Sequence, residues 1–279
     1  MLPRWNSVLN NLKFFLAKLE VLLSHKILRR SKRGRKPKRS IRSYLKLIIV
    51  KEYKNASLRD AEWDFSRMIC RSRVDHSVIH YWEKKLPKEV VEKIVRTIAE
   101  EVEKLLGYDF SVIDATKFAS WKNEELEFHI LARITKGTVY PSSVYLGSGS
   151  MSKTVNHVLV EGGKDLLCDA WYDDHKALKL MFKRGYTPYV SPNTGKWRGR
   201  WRHKARRLYM HPVGRQKYRQ RGRGESPFGS LTNEFGDRLK TSRFDTSMTR
   251  IGARIITYLV KIYMRIDDNL TLIIILVNC

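Results

Sequence analysis

The N-terminal part of the chain has the apolar spacing of helices. Leucine, isoleucine, valine and aromatic residues recur there at intervals of three and four, the period of an amphipathic helix. The pattern predicts an N-terminal amphipathic helix (1–28), a basic linker (29–40), a helical region (41–86) and a connecting helix (87–107). Pro87 and Gly107 fit the two ends of the connecting helix, because proline suits a helix start and glycine a helix end.

From residue 108 the pattern becomes that of strands. Short runs of β-branched and aromatic residues, bounded by Gly, Ser or Pro, predict five strands, with helical patterns near 153–161 and 174–184. The order of three strands, helix, strand, helix and strand predicts an α/β fold, in which helices flank a mixed sheet. We expect this domain to span 108–265, after an all-α N-terminal region and before an apolar tail over 266–279.

The helical region over 41–86 contains three short helical patterns joined by polar residues. Ser57 and Asp60 have the spacing of a capping box at the start of the second helix. Short helices with tight joints beside a basic arm favour a helix-turn-helix unit, in which 74–86 would contact the bases. A plain three-helix bundle would give the same pattern, so both interpretations stay open.

The charge of the chain is concentrated in two segments. The sequence has 55 Lys and Arg against 28 Asp and Glu, a formal net charge of +27. Residues 29–46 carry ten of the basic residues and 175–224 carry sixteen, and neither segment contains a carboxylate. Unbalanced charge of this kind points to a polyanionic partner, and the aromatic residues within the second segment are suited to nucleic acid. The composition disfavours an ordinary metabolic enzyme.

Cysteine content and hydropathy indicate the compartment. Cys70, Cys168 and Cys279 are scattered, so the sequence predicts neither a disulfide framework nor a zinc site. No apolar run has the length of about 20 residues that a membrane span needs, and the N-terminus lacks the pattern of a signal peptide. We expect a cytoplasmic, nucleoid-associated protein with no membrane partner.

Two aspartates follow apolar runs of predicted strands. Asp114 follows Phe110–Ile113, and Asp169 follows Leu166–Cys168. The carboxyl ends of strands are where open sheets gather their sites, so both side chains are expected at one edge. If the strands are neighbours, the two carboxylates need a bridging cation, and Mg²⁺ is expected, with Mn²⁺ as the alternative. Each aspartate alone could instead cap a turn.

A third carboxylate, Glu225, ends the basic segment. Three carboxylates that hold two divalent ions match the needs of in-line displacement at a phosphodiester. Glu225 could also be an ion-pair partner of the arginines around it. The remaining candidates have structural interpretations. Asp109 is expected to begin a strand, and Asp173 and Asp174 are expected to cap the helix that follows them. His157 is expected to make structural contacts rather than act as a ligand or base, and Cys168 is expected to pack as a small apolar residue.

These carboxylates lie in motifs of a known family. The segments VIDAT around Asp114 and CDAWY around Asp169 resemble those of the DDE insertion-sequence transposases. Tyr218, Arg221 and Glu225 match the Y-R-E part of a signature in a related subgroup, whereas Thr232 stands where that signature has lysine. The resemblance covers roughly 108–260 and implies a ribonuclease-H-like catalytic domain.

The resemblance implies a mechanism and partners. Asp114, Asp169 and Glu225 would be the catalytic residues and the ligands of two Mg²⁺ ions, and Tyr218 and Arg221 would hold DNA at the element end. The protein would cleave the terminal inverted repeats of an insertion sequence and join the freed 3′-OH to target DNA, as a homodimer assembled on DNA. Together with the basic segments, the predicted DNA-binding residues are Tyr218, Arg221, Arg219, Lys196, Arg198, Arg200, Arg202, Arg33, Arg35 and Lys36.

Two other functions fit the same residues. Thr232 and the apolar tail favour an inactive, DNA-binding remnant of a transposase. A metal nuclease of the same fold would cut DNA without joining it. Glu234 is the alternative third ligand, although its position lies outside the signature.

Overall fold

A computed structural model describes residues 11–23, 37–193 and 198–277, with side chains as far as residue 267. Its contacts divide the chain into two compact units. The first contains the described residues up to Leu105 and from Leu239 onward, and the second is Leu106–Arg238. The described helices include none that is long and apolar enough to cross a membrane.

The first unit is helical. Its elements are α1 (Leu12–Leu22), α2 (Ile41–Tyr53), α3 (Leu58–Asp60), a π-helical turn (Ala61–Phe65), α4 (Ser66–Cys70), α5 (His76–Lys85), α6 (Lys88–Leu106) and α12 (Phe244–Val277). The capping box predicted at Ser57 is present: the Ser57 hydroxyl accepts from the Asp60 N–H, and the Asp60 carboxylate accepts from the Ser57 N–H. These two bonds satisfy backbone donors that the start of the helix leaves open.

A buried ion network joins three helices of this unit. Glu52 on α2 contacts Lys51 at 2.5 Å and Arg254 on α12 at 3.0 Å. Glu83 on α5 contacts Lys51 at 3.1 Å and Arg250 on α12 at 2.9 Å. Burial raises the pKa of Glu52, but the surrounding cations outweigh burial and hold that pKa below its ordinary value. Through these ion pairs, Glu52 and Glu83 join segments that are distant in sequence.

The second unit is an α/β domain, as predicted. Its elements are β1 (Phe110–Ala119), β2 (Glu125–Ile134), β3 (Val139–Leu146), α7 (Met151–Val158), β4 (Asp165–Cys168), α8 (His175–Lys183), β5 (Thr187–Val190), α9 (Arg200–Met210), α10 (Pro212–Tyr218) and α11 (Ser226–Phe235). Short 3₁₀ turns follow β4 (Ala170–Tyr172) and α10 (Arg219–Glu225). The five strands form one mixed sheet in the order β3-β2-β1-β4-β5, with β1, β4 and β5 parallel.

The register of the sheet decides where the aspartates lie. β1 and β4 are parallel neighbours, and Ile113 pairs with Cys168 at the end of their ladder. β1 is longer than its apolar run suggests, because it continues to Ala119 along its antiparallel partner β2. Asp114 therefore lies within β1 rather than at its end, but it is the first residue beyond the parallel pairing.

The ion network predicts a large stability effect at one carboxylate. Glu52→Gln removes a buried negative charge that contacts both Lys51 and Arg254, so we expect the free energy of unfolding to fall by about 3–5 kcal/mol. Urea unfolding followed by circular dichroism measures it. Glu101→Gln is the control, because Glu101 meets Lys104 at an exposed site on α6, and its unfolding midpoint should hardly move. Equal midpoint shifts in the two variants would contradict a structural role for the network.

Candidate active site

The carboxylates of Asp114 and Asp169 start from adjacent strands. Each follows the last residue of the parallel β1–β4 pairing. Each side chain is oriented by the next backbone N–H: Asp114 Oδ1 accepts from Ala115 at 2.9 Å, and Asp169 Oδ1 accepts from Ala170 at 2.5 Å. The sheet and these local bonds set both side chains at one level of the strands.

Glu225 reaches this region on the 3₁₀ turn Arg219–Glu225, which packs against β1. A Cβ added at Gly224 would lie 2.3 Å from a methyl carbon of Val112, so only glycine permits this approach. The turn is also held by Arg223, whose guanidinium donates to the Thr135 carbonyl at 2.6 Å. Close packing thus brings Glu225 toward a strand more than 100 residues earlier in the chain.

Arg221 connects two of the three carboxylates. Its Nη1 donates to Asp114 Oδ2 at 2.9 Å, and its Nη2 donates to Glu225 Oε1 at 3.3 Å. The Asp114 side chain is 16% exposed and that of Glu225 is 60% exposed. Arg221 therefore spans the site from its buried part to its solvent-facing part.

The electrostatics of Asp114 reflect this crowding of negative charge. Burial raises the pKa of Asp114, and the charges of Asp169 and Glu225 raise it further, while the Ala115 N–H and Arg221 oppose the shift. The net direction is upward. A carboxyl with a raised pKa in such a setting gains from an added cation, and hard oxygen donors suit Mg²⁺ or Mn²⁺.

The three carboxylates do not form a closed ligand set. Among the described residues, Glu62, Asp75 and His76 are the one group of three His, Cys, Asp or Glu whose ligand atoms all lie within 4.8 Å of one another. The ligand atoms of Asp114, Asp169 and Glu225 do not all meet this distance, and Arg221 joins Asp114 to Glu225. The three side chains fit divalent cations because all three offer oxygen ligands, and because the charges of Asp169 and Glu225 both act on Asp114.

A comparison with protein families decides the affiliation. The model of the transposase DDE domain matches residues 105–260, more than half of the 279 residues. The chain belongs to the transposase DDE-domain family. The resemblance to DDE transposases is thereby confirmed, and the mixed sheet flanked by helices agrees with a ribonuclease-H-like transposase domain. Searches of curated proteins and of solved structures give no significant match.

Membership in the transposase family carries general chemical consequences. DDE transposases typically use divalent metal ions, and their substrate is DNA. The matched range contains all three carboxylates and most of the basic segment 175–224 that precedes Glu225.

The predicted DNA-binding residues fall into different settings. The Tyr218 ring packs edge-on against Tyr209 at 5.0 Å, and burial raises the pKa of its phenol. Arg219, Arg198 and Arg200 are exposed. Arg202 instead donates to the carboxylate and carbonyl of Asp173, so a phosphate there would compete with an existing pair. Lys196, Arg33, Arg35 and Lys36 lie outside the described residues.

The signature position that departs from lysine is on α11. The Thr232 hydroxyl donates to the Phe228 carbonyl at 2.9 Å, and the residue is exposed. Thr232 lies two helical turns beyond Glu225, so the two positions share a side of the helix axis. Glu234, the alternative third ligand, is also exposed.

The turn after Asp169 has supports that the sequence did not reveal. Within this turn, Tyr172 and Trp171 both contact His129, the first by a 3.0 Å hydrogen bond to Nδ1 and the second by ring stacking at 5.4 Å. Burial lowers the pKa of His129 to about 4, so its ring is neutral at pH 7. His129 belongs to β2 in a run of apolar residues, and only the folded sheet shows which turn it supports.

Asp173 differs from its predicted role. Asp174 caps α8 by accepting from the N–H groups of Lys176 and Ala177, as expected. Asp173 does not cap this helix but binds Arg202 and the Asn193 N–H, so the prediction of two caps was wrong for Asp173. His157 stacks on Tyr145, and Cys168 is buried with its pKa raised, as their structural interpretations predicted.

The raised pKa of Asp114 predicts the effect of neutralising it. Such a carboxyl contributes stability that is present below its unfolded pKa of about 3.9 and is lost as pH rises through the folded value. Asparagine mimics the protonated form at every pH. In urea unfolding with a chelator, Asp114→Asn should be more stable than the parent at pH 7, and the difference should shrink toward pH 4. The exposed Asp109→Asn is the control, and a destabilised Asp114→Asn at pH 7 would contradict the electrostatic interpretation.

Proposed function

We propose that this chain cleaves DNA at the ends of an insertion sequence and transfers the freed strands into target DNA. The observation that carries the proposal is the bridge from Arg221 to Asp114 and Glu225, beside Asp169 on the neighbouring strand. In a transposase DDE domain, carboxylates held this way beside two parallel strands are suited to phosphodiester chemistry.

Each side chain has a distinct role in this proposal. Asp114, Asp169 and Glu225 would hold two Mg²⁺ ions, which Mn²⁺ could replace. Bound there, the ions would activate the attacking oxygen and stabilise the leaving oxygen. The Ala115 and Ala170 N–H groups fix one oxygen of each aspartate, which orients the other. Arg221 can pair bidentately with a phosphate, as arginine does in many phosphate sites.

DNA contacts outside the centre would come from basic and aromatic residues. Tyr218 and the exposed Arg198, Arg200 and Arg219 are suited to the DNA backbone. The substrates would be the terminal inverted repeats and the target DNA. A homodimer assembled on DNA is the proposed active form, because two element ends must be joined.

Residues 41–86 are proposed to form the helical DNA-binding region. α4 ends at Arg71 in the left-handed conformation, with φ of 58°, and α5 starts after a short turn. The buried carboxylate of Glu62 fixes this turn by accepting from Arg73 Nε at 2.7 Å and from the His76 N–H at 3.0 Å. Because Arg73 and His76 are engaged there, base contacts would fall to the exposed face of α5.

Substitution of the three carboxylates tests the catalytic proposal. The assay is nicking and joining of a supercoiled plasmid that carries the DNA flanking this gene, in the presence of Mg²⁺. Asp114→Asn, Asp169→Asn and Glu225→Gln should each lower cleavage by about 100-fold or more, because loss of outer partners alone costs metal sites 10–100-fold. Retention of the same DNA without metal should stay close to that of the parent protein.

The matched control is Glu234→Gln, on the helix that follows Glu225. Glu234→Gln should cleave normally. Normal cleavage by Glu225→Gln together with lost cleavage by Glu234→Gln would assign the third ligand to Glu234. Joined products would identify a transposase, and cleavage without joining would identify a nuclease of the same fold. The absence of both cleavage and joining would identify an inactive remnant.

The departure at Thr232 predicts a gain of function. Lysine at this exposed position of α11 adds a cation two helical turns from Glu225. Thr232→Lys should tighten binding of the flanking DNA several-fold and raise its cleavage. Thr232→Gln, of similar length without charge, separates the cation from the longer side chain. Equal results for the two variants would show that position 232 makes no phosphate contact.

A further inference from the structure

We propose that one face of α9 forms a groove that binds the sugar–phosphate backbone of duplex DNA. The proposal rests on the proposed function for its substrate, but it concerns a surface outside the carboxylate site. Its lining residues are Arg200, His203, Lys204, Arg207, Leu208 and His211, which border one open cleft of about 780 Å³. They recur at three and four residues and so share one helix face.

The same helix carries a second, inward set of arginines. Arg202 donates to Asp173, and Arg206 donates to the Asn193 carbonyl at 2.8 Å. Arg206 is also within 3.9 Å of the Asp173 carboxylate, so one buried acid serves both. Arg202 thus holds α9 to the segment before α8, and Arg206 holds it to the loop after β5. Basic residues on α9 therefore divide into a structural set and a set that faces solvent.

The solvent-facing set has no internal countercharge. In the described part of the chain, Arg200, Lys204 and Arg207 have no carboxylate oxygen within the 4.0 Å of an ion pair, and residues 175–224 contain no acid at all. Lys204 lies 4.3 Å from the Phe182 ring, and Arg200 lies 5.5 Å from the Trp201 ring. Aromatic contacts thus place the cations without neutralising them.

The length of the basic face of α9 fits the backbone of a duplex. From Arg200 to Met210, α9 rises about 15 Å at 1.5 Å per residue. Arg200, Lys204 and Arg207 lie on one side of the helix within that length, so they can contact neighbouring phosphates of one strand. The charged residues of the lining are Arg200, Lys204 and Arg207, and such cations bind phosphate oxygens of any sequence. We assign the groove to sequence-independent backbone contact.

The groove is joined to the carboxylate site through neighbouring elements. Tyr209 of α9 packs against Tyr218, and Tyr218 directly precedes the 3₁₀ turn that contains Arg221 and Glu225. DNA held along α9 would lie against elements that lead to the carboxylates. The groove would thus add non-specific affinity and fix the path of the duplex.

Salt-dependent binding tests this groove without any catalysis. The probe is a fluorescent 20-bp duplex of mixed sequence, measured by anisotropy in a chelator over a series of salt concentrations. A variant with Arg200→Ala, Lys204→Ala and Arg207→Ala should bind about 100-fold more weakly near 0.1 M salt. The slope of log K against log salt should fall by about 2.7, because each phosphate contact contributes about 0.9.

The matched control removes the same charge elsewhere. Lys93→Ala, Lys104→Ala and Lys117→Ala together change three exposed lysines of α6 and β1. This variant should retain most of the slope, and an equal loss in both triples would overturn the groove, because net charge alone would then explain it. The double variant Arg200→Lys, Arg207→Lys should bind DNA within a few-fold of the parent, since phosphate accepts either cation. Near-normal binding by this variant would also show that substitutions at these positions leave the protein folded.

Two further outcomes separate the groove from neighbouring hypotheses. A loss of binding confined to the single-stranded form of the probe would overturn the assignment to duplex DNA. Normal duplex binding by the α9 triple would overturn the groove and leave the carboxylate proposal intact. Absence of cleavage in the parent protein, with the predicted slope change in the triple, would overturn the proposed chemistry and retain the groove.

Discussion

The carboxylates of Asp114, Asp169 and Glu225 repel one another, and Arg221 supplies a countercharge. The parallel β1–β4 register sets Asp114 and Asp169 at the same level, and the 3₁₀ turn brings Glu225 toward them. Without a cation this arrangement is unfavourable, as the raised pKa of Asp114 shows. Arg221 contacts Asp114 and Glu225 together, so the same side chain both stabilises the fold here and orients two proposed ligands.

The same principle explains how the chain distributes its excess of positive charge. Some of the basic residues form ion pairs within the protein. These pairs are the buried network around Glu52 and Glu83 and the contact between Arg202 and Asp173. Those residues stabilise helix packing. The cations along the exposed face of α9 have no such partner among the described residues, which leaves them for an external polyanion. Net charge alone does not distinguish these two sets, whereas their contacts do.

Local patterns predicted the elements well because each depends on nearby residues. The Ser57 capping box, the five strands and the helix after Asp174 all follow from period, caps and turn residues within a few positions. Long-range packing was harder to predict. The sequence pattern predicted helices in this domain only near 153–161 and 174–184, yet residues from Arg200 onward form α9, which is held by Asp173 from before α8.

The candidate site also combines features that local sequence patterns predict with features that depend on distant residues. Asp114 and Asp169 could be predicted, because apolar runs mark their strands, but the extension of β1 beyond Asp114 depends on pairing with β2. No sequence signal marks Gly224 as the point of contact with Val112, since the pair is more than 100 residues apart. The role of His129 beneath Trp171 and Tyr172 was hidden for the same reason.

Arg221 also limits how the site can work. Its guanidinium has five N–H donors in a rigid plane, and two of its nitrogens already serve Asp114 and Glu225. Three N–H groups remain, and a phosphate that also takes over an N–H now bound to Asp114 or Glu225 releases that carboxylate. Neutralisation of the carboxylates by other cations would lower the cost of that release. In the proposed transposase, filling of the carboxylate site and capture of the phosphate by Arg221 would therefore favour each other.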